Sequence, residues 1–275
     1  MIYDCFLYYD EDMLLDIRLN TLADVVDYFV IVESTHTFTG KPKKLNFDMN
    51  KFKKYKEKII YIIFDEKPYS NAWKNEADTR NAISRGLKAA SDKDLILVSD
   101  VDEIYNPEII KELSTKPICT IIKQHVYNYQ FNLQIFNFAG TPRCATLPKA
   151  TSYKNFRSFF RGEAETLRNT RRSPIKKNWI KWKWYKHTHK VIERGGWHFS
   201  WIMTPERISE KMSSISHTEY DLPQFNNPEH IIKAINNAED IWSRERIMEK
   251  QKLATPEFPE YLVLNKDKFK KFILE

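Results

Sequence analysis

Four short runs between residues 2 and 99, IYDCFLYY, DYFVIVE, KIIYIIF and DLILVS, are apolar almost throughout. A strand without polar alternation is one buried on both faces. The stretches between them carry a different period. DEDMLLDIRLNTLADVV opens on acids and sets Leu14, Leu15, Ile17, Leu22 and Val25 at roughly helical spacing, which predicts an amphipathic helix. Residues 71–90 predict a second helix, and the loop STHTFTGKPKKL, with Gly40 and Pro42, continues neither element. Doubly covered strands alternating with helices restrict the chain to an α/β fold, with a Rossmann-like, mainly parallel sheet flanked by helices. Ligands of such sheets bind beyond the carboxyl ends of the strands. Glu33 ends the second run, and the fourth runs straight into Asp100, Asp102 and Glu103.

Three acids this close repel one another and raise each other's pKa, so the turn requires a cation or a proton to offset it. Asp-x-Asp on a short turn can aim two carboxylates at one hard cation, magnesium or manganese, which keeps open positions for phosphate oxygens. The alternative is a helix cap by Asp102 ahead of EIYNPEII, although Asn106 with Pro107 offers a rival helix start.

From about Lys116 the pattern changes. CTIIKQHVYNYQFNL and KVIERGGWHFSW are longer β-prone stretches that predict a mixed or antiparallel extension. Helices return at TPERISEKMSSI, with Thr204 as cap and Pro205 at the first position, and at NPEHIIKAINNAEDIW, where Asn227 and Pro228 repeat the device. The amphipathic tail EFPEYLVLNKDKFKKFILE is expected to dock on the body. Nothing in the composition divides the 275 residues, which read as one domain. Cys5, Cys119 and Cys144 are odd in number and lack CxxC spacing, so they suggest neither a disulfide framework nor a zinc cluster and fit a reducing cytosol. MIYDCFLYYDEDM has neither a basic nor a long apolar region, and no run approaches a transmembrane length. The expectation is a cytoplasmic protein, of microbial or viral type, with no signal peptide or anchor.

The formal net charge of +7 is concentrated between Arg157 and Lys190, in RSFFRGEAETLRNTRRSPIKKNWIKWKWYKHTHK, where Trp and Tyr interleave with the cations. Such a block suits a nucleic-acid backbone, peripheral contact with a membrane surface, or a sugar with its phosphate, against the plainer alternative of a solvated face over packed rings. GGWHFSW offers two conformationally free glycines, Gly195 and Gly196, two flat apolar faces, Trp197 and Trp201, and His198, a metal ligand or phosphate donor unless it is an ordinary core histidine. In NAWKNEADTRNAISRGL, Trp73, Glu76, Arg80 and Ile83 fall near one helical face, with Glu76 and Arg80 spaced as an ion pair.

LLDIRLNTLADVVDYFVIVESTHTFTGKPKKLNF, SDVDEI, GGWHFSWIMTPERISEKMSS and EFPEYLVLNKDKFKKFI together, and in this order, resemble the pattern of glycosyltransferase family 17, the family of the transferase that adds bisecting N-acetylglucosamine. The resemblance implies a GT-A-like, metal-dependent, inverting transferase over residues 1–275, with 1–115 holding the nucleotide-sugar and 116–275 the glycan acceptor. It implies UDP-N-acetylglucosamine as donor and Mn²⁺ or Mg²⁺ as cofactor. Asp102 becomes the direct metal ligand, Asp100 reaches the ribose or a metal-bound water, and His198, with His217 as rival, meets the metal or diphosphate. Arg80 contacts the donor nucleotide or phosphate, Glu33 the nucleoside, and Trp197 and Trp201 a sugar ring. Arg171, with Arg168 and Arg172, closes over the diphosphate as a mobile loop. The catalytic base is Glu165 or Glu163, beside the cationic block, ahead of Glu219 and Asp221. Two other classes stand beside this one: a nucleic-acid-binding protein using Arg157 to Lys190, and a nucleotidyltransferase sharing the acidic turn. No glycine-rich phosphate loop or nucleic-acid motif favours either, and no nucleic-acid partner is expected.

Overall fold

The computed structural model describes residues 1–275. The first third forms the expected alternation: β1 (Ile2–Leu7), α1 (Asp12–Leu22), β2 (Tyr28–Ser34), β3 (Ile59–Phe64), α2 (Ala72–Asn81) and β4 (Leu95–Val98). β1 pairs in parallel with β2 and β4, and β2 with β3. The unbroken apolar runs are explained by the two-residue period of a strand between two covering layers. Tyr3 and Cys5, Val30 and Val32, and Ile96 and Val98 enter one core, while Phe6, Phe29, Ile31 and Leu97 enter the other. Each large apolar side chain buried this way contributes about 1.5–3 kcal/mol. The helix predicted over 71–90 tightens after Asn81 into a 3₁₀ segment, Ala82–Leu87. There Gly86 lies so close to the sheet that a Cβ would come 2.5 Å from a methyl of Val30.

The remaining elements are β5 (Glu103–Tyr105), α3 (Pro107–Lys111), β6 (Thr120–Ile122), β7 (Gln124–Asn128), β8 (Leu133–Phe136), β9 (Cys144–Ala145), β10 (Lys149–Ser152), α4 (Tyr153–Ser158), α5 (Ala164–Arg168), α6 (Pro174–Lys177), α7 (Trp179–Thr188), β11 (Lys190–Ile192), β12 (Gly196–Ser200), α8 (Pro205–Ser214), α9 (Pro228–Asn236), β13 (Ile247–Lys250), α10 (Glu260–Leu264) and α11 (Lys266–Phe269). The main sheet runs β11-β6-β10-β4-β1-β2-β3, with β10 antiparallel to both neighbours. A second, mixed sheet runs β13-β8-β7-β12-β5. Residue 115 does not separate the two sheets, because β5 belongs to the second while β6, β10 and β11 return to the first. The tail docks as expected: Leu262 and Phe269 are buried in the core beneath α1, and the Tyr261 hydroxyl donates to Asp16 at 3.0 Å. No helix is long and apolar enough to cross a membrane.

The seam between the sheets depends on glycine. β12 lies antiparallel against β5, with Gly196 opposite Tyr105 and His198 opposite Glu103. Gly196 has φ +151°, and a Cβ there would sit 2.2 Å from the Ile104 carbonyl oxygen. Only a residue without a side chain permits that approach. Gly196→Ala is therefore expected to cost at least about 2 kcal/mol, the upper part of the range for a strained backbone residue. Chemical denaturation reads the loss, and an unchanged midpoint would show that the strand pair does not need the glycine.

Candidate active site

The acidic turn leaves β4 and enters β5 directly, and the cations that offset it come from the chain itself. Arg18, fully buried on α1, donates to both Asp4 carboxylate oxygens at 2.7 and 2.5 Å and to Ser99 Oγ at 2.6 Å. Its remaining nitrogen donates to the Asp100 and Glu103 carbonyl oxygens at 2.8 and 2.9 Å, shaping the backbone of the turn. Arg168 at the end of α5 reaches Glu103 at 2.5 Å and Asp100 at 2.5 Å. Arg80 on α2 holds the other Asp100 oxygen at 3.1 Å, together with Glu76 at 2.7 Å and Glu165 at 2.5 Å. Burial works against the charge on Asp100, yet Arg168 and Arg80 outweigh it and keep its carboxyl below the usual range.

Asp102 is the acid the arginines leave over. Its side chain, 11% exposed, lies 3.7 Å from His198 Nε2 and 3.9 Å from Lys211 Nζ of α8. Burial opposes its charge too, but His198, with Lys211 and Arg168 behind it, holds the carboxyl well below the ordinary carboxylate range. Burial likewise disfavours the His198 imidazolium, and Asp102 reverses this and raises it. His198 Nδ1 is buried with no hydrogen-bond partner. No three His, Cys, Asp or Glu side chains converge as a metal cage. Asp102 and His198 provide one oxygen and one nitrogen donor, a pair that suits Mn²⁺ better than Mg²⁺, with the other ligands drawn from phosphate and water.

This turn opens on a cleft of about 940 Å³ whose wall carries twelve Lys and Arg against six Asp and Glu. The balance suits an anionic ligand such as a diphosphate. Arg171 and Arg172 stand exposed on that wall. Trp201 lines it in a left-handed backbone conformation, φ +56°, with Lys211 Nζ 5.6 Å from its ring centre. Glu11, just before α1, also lines the cleft. One of its oxygens accepts from the Tyr9 and Asp10 amides at 2.9 and 3.1 Å, and the other lies 3.8 Å from Lys211. Burial raises its carboxyl, against the pull of Lys211.

Several residues read from the sequence have other positions. Glu33 is fully buried beneath the loop after β2. It accepts from Lys43 Nζ at 2.5 Å, the Asn46 and Phe47 amides at 2.7 and 3.0 Å and the Tyr61 hydroxyl at 2.8 Å, so no acceptor site is left facing a nucleoside. Trp197 points away from the cleft into the core, its indole donating to the Glu257 carbonyl at 2.7 Å. Glu165 is held by Arg80 and by Asn169 at 2.6 Å, and Glu163 accepts from Thr166 at 2.6 Å. Neither of these two carboxylates lines the cleft. Arg80 does line it, but as the hub of three carboxylates. Asp100 is the arginines' partner rather than a second free ligand. His217 is at the cleft, bonded to Glu219 at 2.7 Å and set edge-on to Trp73. The block expected as a mobile loop is a run of short helices, α4 to α7, and Arg168 within it is buried. Arg18, Glu11 and Lys211 were not singled out from the sequence, since each reads there as an ordinary helix or loop charge.

The model of a family described as glycosyltransferase family 17 matches residues 1–159. The human beta-1,4-mannosyl-glycoprotein 4-beta-N-acetylglucosaminyltransferase is 26% identical over 227 residues, covering 75% of this chain and 42% of its own. The rat protein of that name is also 26% identical, with 41% of its length covered. The chain thus spans about two fifths of the length of these relatives. Among solved structures, a 4-diphosphocytidyl-2C-methyl-D-erythritol synthase is similar at TM-score 0.43 and 11% identity, covering 76% of this chain and 96% of that one. An inositol-1-phosphate CTP transferase from T. maritima follows at 0.38 and 13%, covering 78% and 96%. Likeness at that level carries no argument about the site.

Beneath the turn lies one more cation. Lys149 on β10 is buried at the cleft floor and donates to the Arg168 carbonyl oxygen. Burial pushes its pKa down from 10.5 to about 8. Between those two pH values the unfolded chain holds a proton that the folded chain has lost, so stability rises with pH across that window. Denaturant midpoints measured from pH 7 upward should show the native chain gaining stability relative to Lys149→Met between pH about 8 and 10.5. Parallel curves for the two proteins would mean that Lys149 titrates normally.

Proposed function

The chain belongs to glycosyltransferase family 17, and we propose that it transfers a sugar, with inversion, from a nucleotide-diphosphate donor to a hydroxyl of a glycan acceptor. UDP-N-acetylglucosamine is the donor that the name of the curated relatives favours. The observation that carries this reading is the meeting of Asp102, His198 and Lys211 at the rim of a cation-rich cleft beyond the carboxyl end of β4. That is where a parallel sheet binds its ligands.

In this reading Lys211, with Arg171 and Arg172 across the cleft, binds the phosphates through charge-assisted hydrogen bonds. A divalent ion held by Asp102 and His198 would offset the charge that grows on the departing diphosphate. Trp201, 8% exposed and packed edge-on against Trp242, backs Lys211, whose Nζ lies 5.6 Å from its ring centre. The acceptor oxygen bonds to the anomeric carbon as the bond to the phosphate oxygen breaks, and the acceptor's proton passes to Glu11. Glu11 suits the task because one oxygen is fixed by two backbone amides while the other lies at the cleft 3.8 Å from Lys211, and because burial raises its basicity.

Calorimetry with UDP tests the donor site. Affinity should fall at least about tenfold when Mn²⁺ is withheld, and by a similar factor in Asp102→Ala, whereas binding indifferent to both would refute the assignment of the turn. Glu11→Gln should reduce turnover by about 10²–10⁴-fold while UDP affinity holds. If UDP affinity falls instead, Glu11 serves the donor and the base lies elsewhere.

A further inference from the structure

We propose that the outer face of α7, together with α6 before it, docks on an anionic lipid bilayer. From Thr166 to Ile192 the chain contains nine Lys and Arg and no Asp or Glu. Within it, Trp179, Ile180 and Trp184 are 72%, 61% and 59% exposed. At 3.6 residues per turn these three, with Lys183 and His187, share one side of α7 spanning about 140° of its circumference. The opposite side is committed to the protein: Tyr185 is buried, stacked between Trp182 at 5.4 Å and His189 at 4.9 Å.

An amphipathic helix normally turns its polar side outward. Here the inner side is aromatic and packed, and the outer side presents two indoles and an isoleucine to solvent. Phe138 and Leu264 are as exposed but stand far apart in sequence, whereas these three share one helix side and so have the character of a contact surface. Exposed Lys176, Lys177, Lys183 and Lys186 flank it, with no acid on the segment to neutralise them. Acidic headgroups complement those lysines, and the interface just below takes the amphipathic indoles and the isoleucine together. A nucleic acid would engage the cations and stack on indoles but leave Ile180 unmatched. Tyr185 and His189 line the cleft from the inner side of the same helix, so docking sets the cleft's rim against the bilayer.

The full chain should be sedimented with phosphatidylcholine vesicles, with and without phosphatidylglycerol, over a range of salt. The expected result is binding at least about tenfold tighter to the acidic vesicles, weakening with salt, with a blue shift of tryptophan emission. Trp179→Ser with Trp184→Ser should weaken vesicle binding about tenfold and leave UDP affinity unchanged, which separates this surface from the donor site. No binding to acidic vesicles at low salt would overturn the proposal. So would binding to heparin or single-stranded DNA that matches vesicle binding and ignores the two tryptophan substitutions.

Discussion

The fold turns on the neutralisation of an acidic corner by three arginines drawn from three distant segments. Arg18, Arg80 and Arg168 come from α1, α2 and α5, and each ends on the turn between β4 and β5. Removing one partner of such a buried pair leaves an uncompensated charge, which is far more damaging than the net value of the pair. The network therefore ties the covering helices to the sheet in one arrangement. It also offsets the mutual repulsion of the three acids on the turn. With Asp100 and Glu103 paired to arginines, Asp102 alone of the three turns to His198 and Lys211.

A single free carboxylate becomes a site only if something meets it, and the second sheet brings the partner. The approach of Gly196 to Ile104 places β12 beside β5, and the antiparallel register then sets His198 opposite Glu103 and next to Asp102. α8 follows β12 and delivers Lys211 to the same point. The candidate site thus lies on the seam between two sheets, with His198 set by strand register, Asp102 by the turn and Lys211 by α8. Register is tightly specified here because a one-residue slip would exchange His198 for Trp197 and drive an imidazole into the core.

That same alternation marks what was legible in the sequence and what was not. Three of the four apolar runs are strands covered on both faces, while the remaining one, β3, is the sheet's edge with Ile63 44% exposed, and the acids after the fourth lie at the sheet's rim. If GGWHFSW is a strand, Trp197 and His198 must point to opposite faces, so assigning both to one ligand was inconsistent with the strand that carried them. Glu33 shows a different limit. A carboxylate at a strand end reads alike whether it faces a nucleoside or Lys43, Tyr61 and two amides, because its donors arrive from residues 10 to 28 positions away. Glu163 and Glu165 were misplaced for the same reason, since proximity in sequence to cations does not say which way a helix turns. β10 escaped notice because Lys149, Thr151 and Ser152 are polar, although all three are buried in the main sheet. Their burial is set by β4 and β6 on either side, which no local pattern records.

The cationic block resolves into two different jobs once its helices are in place. Arg168 is spent inside, against Asp100 and Glu103; Arg171 and Arg172 face the cleft; and the lysines of α6 and α7 face outward. Cations thus stand on both sides of one helical wall, and each side can meet its own anion. On the inner side the cation-rich cleft suits the phosphate-bearing ligand of the proposed function. On the outer side the indoles of Trp179 and Trp184 narrow the choice, since a simple salt or a flexible polyanion satisfies lysines but not an exposed isoleucine between two tryptophans. A bilayer satisfies both at once. One helix of ten residues would then fix the angle between the cleft and the membrane, with Tyr185 as its inward anchor.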